Sequence, residues 1–191
     1  PSSNLMPFLE DVEYTFYDSH NIELSHFELV FCLDYNHEYR VGEDMSSFVG
    51  QLDCEKIMID HHPEPSQFCD LTISRPEVCS TAQLFFEVLE ELKMSDQLNL
   101  KASKAIYLGI MTDTGSFKFR STTADTHMVA AALISAGAEN QKIHEDIYDT
   151  STPNRLKLLG IALNNMVVLE EFNTAYITMT QKELDDNNFQ K

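Results

Sequence analysis

Ile57-Met58-Ile59-Asp60-His61-His62-Pro63 decides how this chain is read. An apolar, β-branched run ends abruptly in an acid and two adjacent histidines, and the proline stops it, which is the pattern of a buried strand. The polar triplet therefore falls at the strand's carboxyl end, where open α/β sheets bind ligands. Carboxylate and imidazole both offer lone pairs to Mn, Fe or Zn. A lone histidine there would read as surface; Asp-His-His closing an apolar strand reads as a ligand set.

The segments around it repeat the pattern. Leu29-Val30-Phe31-Cys32-Leu33 is a second apolar run, ending at Asp34. Between the two, Met45, Phe48, Val49 and Leu52 recur at a helical period and predict a helix over 41–52. Strand, helix, strand, with each strand ending in an acid, is a βαβ unit with a parallel pair. A further strand is expected over 68–73, before Arg75-Pro76.

Downstream the pattern turns helical. Ser80 and Gln83 fit a capping box, ahead of a stripe at Ala82, Phe85, Leu89 and Leu92. A helix over about 100–111 carries Ala102, Ala105, Ile106 and Gly109 as a small-residue packing face, then gives way to Thr112-Asp113-Thr114-Gly115-Ser116. Another starts near Thr122 or Thr123, carrying Met128, Ala131, Ala132 and Ile134, with Gly137 past its end. A short helix is expected over 139–148. A further one opens at Pro153, with Leu156, Leu159 and Leu163 on one side. Residues 166–170 and 174–180 read as a hairpin around Glu171-Phe172-Asn173.

Asp34, then Asp60-His61-His62, then Asp113 in Thr-Asp-Thr-Gly, each at an element end, resemble the motifs of the DHH phosphoesterases. That family includes RecJ-type exonucleases, family II pyrophosphatases, cyclic-di-AMP phosphodiesterases and the oligoribonuclease/pAp phosphatases. The run from Gly109 to Thr123, and Leu33-Asp34-Tyr35-Asn36 with Arg40, look most like the oligoribonuclease/pAp phosphatase branch. The resemblance implies an α/β fold: a parallel sheet flanked by helices over 1–150, a linker helix over 151–165, and at 166–191 the opening hairpin of a second α/β, substrate-binding domain.

The resemblance also implies roles. Two Mn²⁺ ions would be held, with Mg²⁺ or Co²⁺ as substitutes. Asp34 would bridge them, and His61 and Asp113 would bind one. His62 would act on the phosphate as donor or general acid, with Asp60 orienting a histidine behind it. Arg40 and Arg120 are the substrate-binding candidates. The chemistry implied is hydrolysis of short oligoribonucleotides, adenosine 3′,5′-bisphosphate (pAp), or both. Cyclic-dinucleotide phosphodiesterase, RecJ-like exonuclease and a non-catalytic nucleotide-binding domain are the alternatives.

One family motif has no counterpart: an Asp-x-Asp with a nearby His on the first strand. Asp11, Asp18 and His20 follow no apolar strand. The expectation is that this motif lies upstream and most of the second domain downstream, so that these 191 residues alone are catalytically incomplete.

Composition limits partners. With 13 Lys+Arg against 31 Asp+Glu and a net charge of −18, the chain lacks the broad basic surface that binds duplex nucleic acid. A small anionic substrate would be met by metal and a few placed cations, with Arg75 and Lys118 joining Arg40 and Arg120 as candidates. No apolar run approaches the length of a membrane span. Four unevenly spaced cysteines without C-x-x-C read as reduced thiols of a cytoplasmic protein. A homodimer is left open.

Overall fold

The computed structural model describes residues 27–187, together with Leu5, Phe8, Val12 and Tyr14. The expectation for Asp11, Asp18 and His20 lies outside the described residues. The chain divides into two compact units, Leu5–Ile143 and His144–Lys191.

The first unit is built on three parallel strands in the order β1-β2-β3: β1 (Leu29–Leu33), β2 (Glu55–Asp60) and β3 (Leu71–Ser74). Parallel pairing, with Leu33 opposite Ile59 and Asp60 opposite Ser74, brings all three carboxyl ends to one edge. Both faces of a parallel sheet need covering, which is why its central strand reads as a continuous apolar run. On one face Cys32 and Met58 pack with Val49 of α1 (Glu43–Gln51). On the other Ile59 packs with Val78 and with Leu84 of α2 (Thr81–Glu91), joined by Ile57, Ile73, Phe85 and Val88. Met58 and Ile59 are fully buried, each contributing about 2 kcal/mol of apolar transfer. α3 (Leu100–Asp113) lies against α2, and α4 (Ala124–Ser135) against α3. At Gly109 an added Cβ would stand 2.7 Å from the Ala82 Cβ, so the small-residue face of α3 is where the two helices meet.

Three details here differ from the sequence reading. β3 begins at Leu71, because Phe68 and Cys69 turn into the β1–α1 core and the Asp70 carboxylate accepts the Lys56 amide at 2.8 Å. Ser80 caps α2 by accepting the Gln83 amide at 3.0 Å, but the Gln83 side chain does not complete the box. It bonds Cys79 and Glu87 instead. The buried face of α4 is Thr126, Val129, Ala130 and Leu133, not the one through Met128 and Ile134. α4 is apolar nearly all round, so periodicity could not select its inner side. Its capping box is Thr123 with Thr126.

The second unit follows α5 (Asn140–His144), which runs into a π-helical turn at Glu145–Asp149. α6 (Pro153–Asn164) has proline in its first turn, Thr152 as its cap and Leu158 buried; Leu156, Leu159 and Leu163 are exposed. β4 (Met166–Leu169) and β5 (Thr174–Ile177) pair antiparallel through a left-handed Asn173. β5 stops short of the expected Thr180 because that residue caps an unanticipated α7 (Gln181–Asp186) in a capping box with Glu183. Among the described residues no helix is long and apolar enough to cross a membrane.

Candidate metal centre

Four segments meet at the carboxyl edge of the sheet. β1 delivers Asp34, β2 delivers Asp60, His61 and His62, the entry to α2 delivers Val78 and Thr81, and the last turn of α3 delivers Asp113. Asp34 sits in the left-handed region (φ 66) while its amide still bonds the Ile59 carbonyl at 3.2 Å. That conformation is uncommon for a side chain other than glycine, though Asp tolerates it, and strained residues concentrate at functional sites. Thr81 Oγ1 donates to Asp34 Oδ1 at 2.7 Å and fixes the carboxylate.

His61 joins the two acids. Its Nε2 lies 3.9 Å from Asp34 Oδ1 and 3.8 Å from Asp113 Oδ2. Its Nδ1 faces the Val78 carbonyl at 3.2 Å. A carbonyl can only accept, so Nδ1 carries a proton and Nε2 is turned towards the two carboxylates, where its lone pair could serve a metal. Metal-binding imidazoles are commonly oriented in this way, the other ring N–H being donated to a backbone carbonyl.

The same reasoning orients His62. Asp60 is fully buried, and its Oδ1 accepts both the His62 backbone amide and His62 Nδ1, the latter at 2.9 Å. Arg40 can only donate, and its Nη2 stands 3.4 Å from His62 Nε2. His62 is thus held with its proton on Nδ1 and a lone pair on Nε2. Asp60 Oδ2 is buried with no partner among the described residues.

Asp34, His61 and His62 each bring one ligand atom within 4.8 Å of the others. The Asp113 carboxyl is pushed above its ordinary range, first by burial and then by the charge on Asp34, with His61 and His62 pulling the other way. Two carboxylates crowded on a lone-pair nitrogen repel each other unless a cation lies between them, so this donor set fits a divalent metal. Mixed oxygen and imidazole ligation suits a divalent transition metal, and none of the four cysteines, all free thiols, belongs to the group. Beside Asp34 and Asp113 a cleft of about 350 Å³ opens over Leu33, Ala82, Phe85 and Ile106.

The structure therefore brings together Asp34, Asp60, His61, His62 and Asp113. Arg40 joins them, steadied by Asn36 Oδ1 at 3.4 Å. Asn36 in turn donates to the Pro63 carbonyl at 2.6 Å and ties the Asp34 loop to the segment after His62. Arg120 is exposed and makes no hydrogen bond or ion pair with this group, and Lys118 is exposed as well. Arg75 pairs with Glu77 and Glu87 instead. Thr114 is a structural terminator: its Oγ1 donates to the Ile110 carbonyl at 2.7 Å and accepts the Phe117 amide at 3.0 Å. Sequence reasoning missed Thr81, the Val78 carbonyl and the brace made by Asn36. Thr81 is 47 positions from Asp34, and no local pattern encodes that pairing.

Residues 3–110 match the DHH family, N-terminal domain. The chain is similar to the bifunctional oligoribonuclease and PAP phosphatase NrnA of Bacillus subtilis (strain 168), with 28% identity over 171 residues, 89% of this chain and 50% of that protein. It shares 30% identity over 132 residues with the cyclic-di-AMP phosphodiesterase GdpP of the same strain, 66% of this chain and 19% of that protein. Among solved structures, an exopolyphosphatase-related protein from Bacteroides fragilis superposes with a TM-score of 0.84 at 34% identity, over 88% of this chain and 49% of that one. The chain spans half or less of the length of each.

Proposed function

The chain belongs to the DHH family, and from that premise we propose that the protein is a divalent-metal phosphoesterase hydrolysing short oligoribonucleotides, pAp, or both. The observation that carries the reading is His61, oriented through Nδ1 by the Val78 carbonyl so that Nε2 is flanked by Asp34 and Asp113. The similarity to NrnA supports the choice of substrate. A cytoplasmic setting is part of the same proposal.

Asp34 would serve as the ligand shared by the ions, the role that the family resemblance implies for it, since its carboxylate offers two anionic oxygens. His61 and Asp113 would hold one ion of a pair, Mn²⁺ by preference. Two such ions would lower the pKa of a shared water and align the phosphoryl oxygens for in-line attack. His62, with its proton on Nδ1 against Asp60, presents Nε2 to the substrate. When Nε2 is protonated, the buried Asp60 carboxylate stabilises the imidazolium, and Nε2–H can donate to a phosphate oxygen or the leaving group. Arg40 stands beside Nε2 to take a phosphate oxygen, and Arg120 is a second, more distant phosphate contact.

The full-length protein assayed with Mn²⁺ against a dinucleotide, pAp and a cyclic dinucleotide tests the proposal. The expected result is metal-dependent cleavage of the first two, abolished in Asp34→Ala and little changed in Cys54→Ser. Cleavage that survives chelation, or an Asp34→Ala variant near wild type, would overturn it. Preference for the cyclic dinucleotide would move the substrate assignment towards the chemistry named for GdpP.

A further inference from the structure

We propose that Phe119 is a stacking platform for a nucleobase, so that this centre takes nucleotides rather than base-free phosphate chains. The inference rests on the phosphoesterase reading above and deepens it. Phe119 is 58% exposed, yet it is not loose: a Cβ added at Gly115 would meet its Cζ at 2.5 Å and Cε1 at 2.6 Å. The ring thus lies against a glycine, two residues beyond Asp113, and any side chain at 115 would displace it. Two residues of chain span at most about 7 Å, so the ring stands within one or two nucleotide lengths of the proposed phosphoryl site.

The backbone that carries it is held in a costly shape. Gly115, Ser116 and Phe117 have φ values of 54, 62 and 62, and two of these residues have side chains, each costing on the order of 1 kcal/mol there. Buried Thr114 holds the turn: its carbonyl accepts the amides of Lys118 at 2.9 Å and Phe119 at 3.0 Å. Phe117 points the other way, against Tyr107 and His127. The turn therefore sends one aromatic inward as an anchor and leaves the next outward, pinned and bare.

Charge gives the second line of argument. Phe119 is flanked by Lys118 and Arg120, both exposed and in no ion pair among the described residues. In a chain with 13 basic and 31 acidic side chains, two cations bracketing an exposed aromatic are out of keeping with their surroundings. A π-face between cations next to a phosphate-handling centre matches a single-stranded nucleotide, which stacks its base and pairs its phosphates. An inorganic phosphate chain has no use for the ring.

The test is a dinucleotide with an uncleavable methylphosphonate linkage and a terminal 2-aminopurine, titrated into the full-length protein while the base's fluorescence is followed. Stacking should quench the signal in wild type. Phe119→Leu, which keeps apolar bulk but loses the π-face, should lose the quench and about 5- to 100-fold in affinity. Phe119→Tyr should restore both. A natural dinucleotide and its abasic analogue should differ in KM for wild type and converge for Phe119→Leu. Quenching and affinity unchanged in Phe119→Leu, or no binding of the probe by wild type, would overturn the inference. Normal quenching without hydrolysis would instead sink the phosphoesterase reading and leave the platform standing.

Discussion

Asp113 shows at the scale of one residue how a ligand site works against the stability of its own fold. Burial and Asp34 raise its pKa, so the native state binds this proton more tightly than the unfolded chain does. Stability is then lost as pH rises from the ordinary carboxyl value through the raised native one, and the deficit persists at neutrality. Asp113→Asn keeps the shape and removes the charge. In chelator at pH 7 the variant should melt slightly above wild type, the gap kept small because the Asp113 side chain is 41% exposed and solvent screens the repulsion. The gap should close near pH 3, where both side chains are neutral. Adding Mn²⁺ should reverse the order, because only wild type keeps the Asp113 carboxylate as a ligand. Differential scanning calorimetry with and without Mn²⁺ would measure this; a variant less stable than wild type in chelator would contradict it. Asp34, Asp60, His61, His62 and Asp113 were all legible in sequence because each closes an apolar or helical segment. Thr81 and the Val78 carbonyl, which fix two of them, were not, since each acts across a tertiary contact.

At the scale of elements, α2 and α3 depend on one close approach. Alanine usually improves a helix over glycine by about 1 kcal/mol. At Gly109 the new methyl would meet the Ala82 Cβ, which cannot rotate away, and overpacking of this kind costs about 1–3 kcal/mol. The packing effect wins, so Gly109→Ala should lower stability by about 1 kcal/mol in urea unfolding. It should also weaken Mn²⁺ binding, since α3 carries Asp113 and α2 carries Thr81. Adding Ala82→Gly should recover metal affinity although it costs helix propensity. A Gly109→Ala protein more stable than wild type would show that the helices have room to spare. The small face of α3 could be read from spacing, because small residues recurring on one side have few other uses. The inner face of α4 could not: Met128 and Val129 are equally apolar, and only neighbours place the first 63% exposed and the second in the core. β3 was misplaced for a related reason, Phe68 and Cys69 being apolar for the sake of the core beneath β1 rather than for a strand.

For the whole molecule, the decisive quantity is the charge of −18 set against an anionic substrate. Long-range attraction would not bring a nucleotide to such a surface; on the proposed function, capture would be local, through metal, Arg40 and the Lys118–Phe119–Arg120 turn. Salt dependence separates this from the electrostatics of a basic nuclease. A protein that neutralises 6–10 phosphates loses about 10³–10⁵ in affinity between 50 and 200 mM salt. Three cationic contacts to a single strand would lose under about 20-fold over that range by the same rule. Screening of the repulsion from the acidic surface opposes even that loss. The kcat/KM of the full-length protein for a dinucleotide should therefore change by less than about tenfold from 50 to 200 mM KCl at saturating Mn²⁺, with no measurable binding to a duplex in a gel shift. A fall of a thousandfold or more would mean that a broad basic surface, supplied from outside these 191 residues, governs binding. Substrate length would then be set by that surface rather than by the centre at the sheet edge.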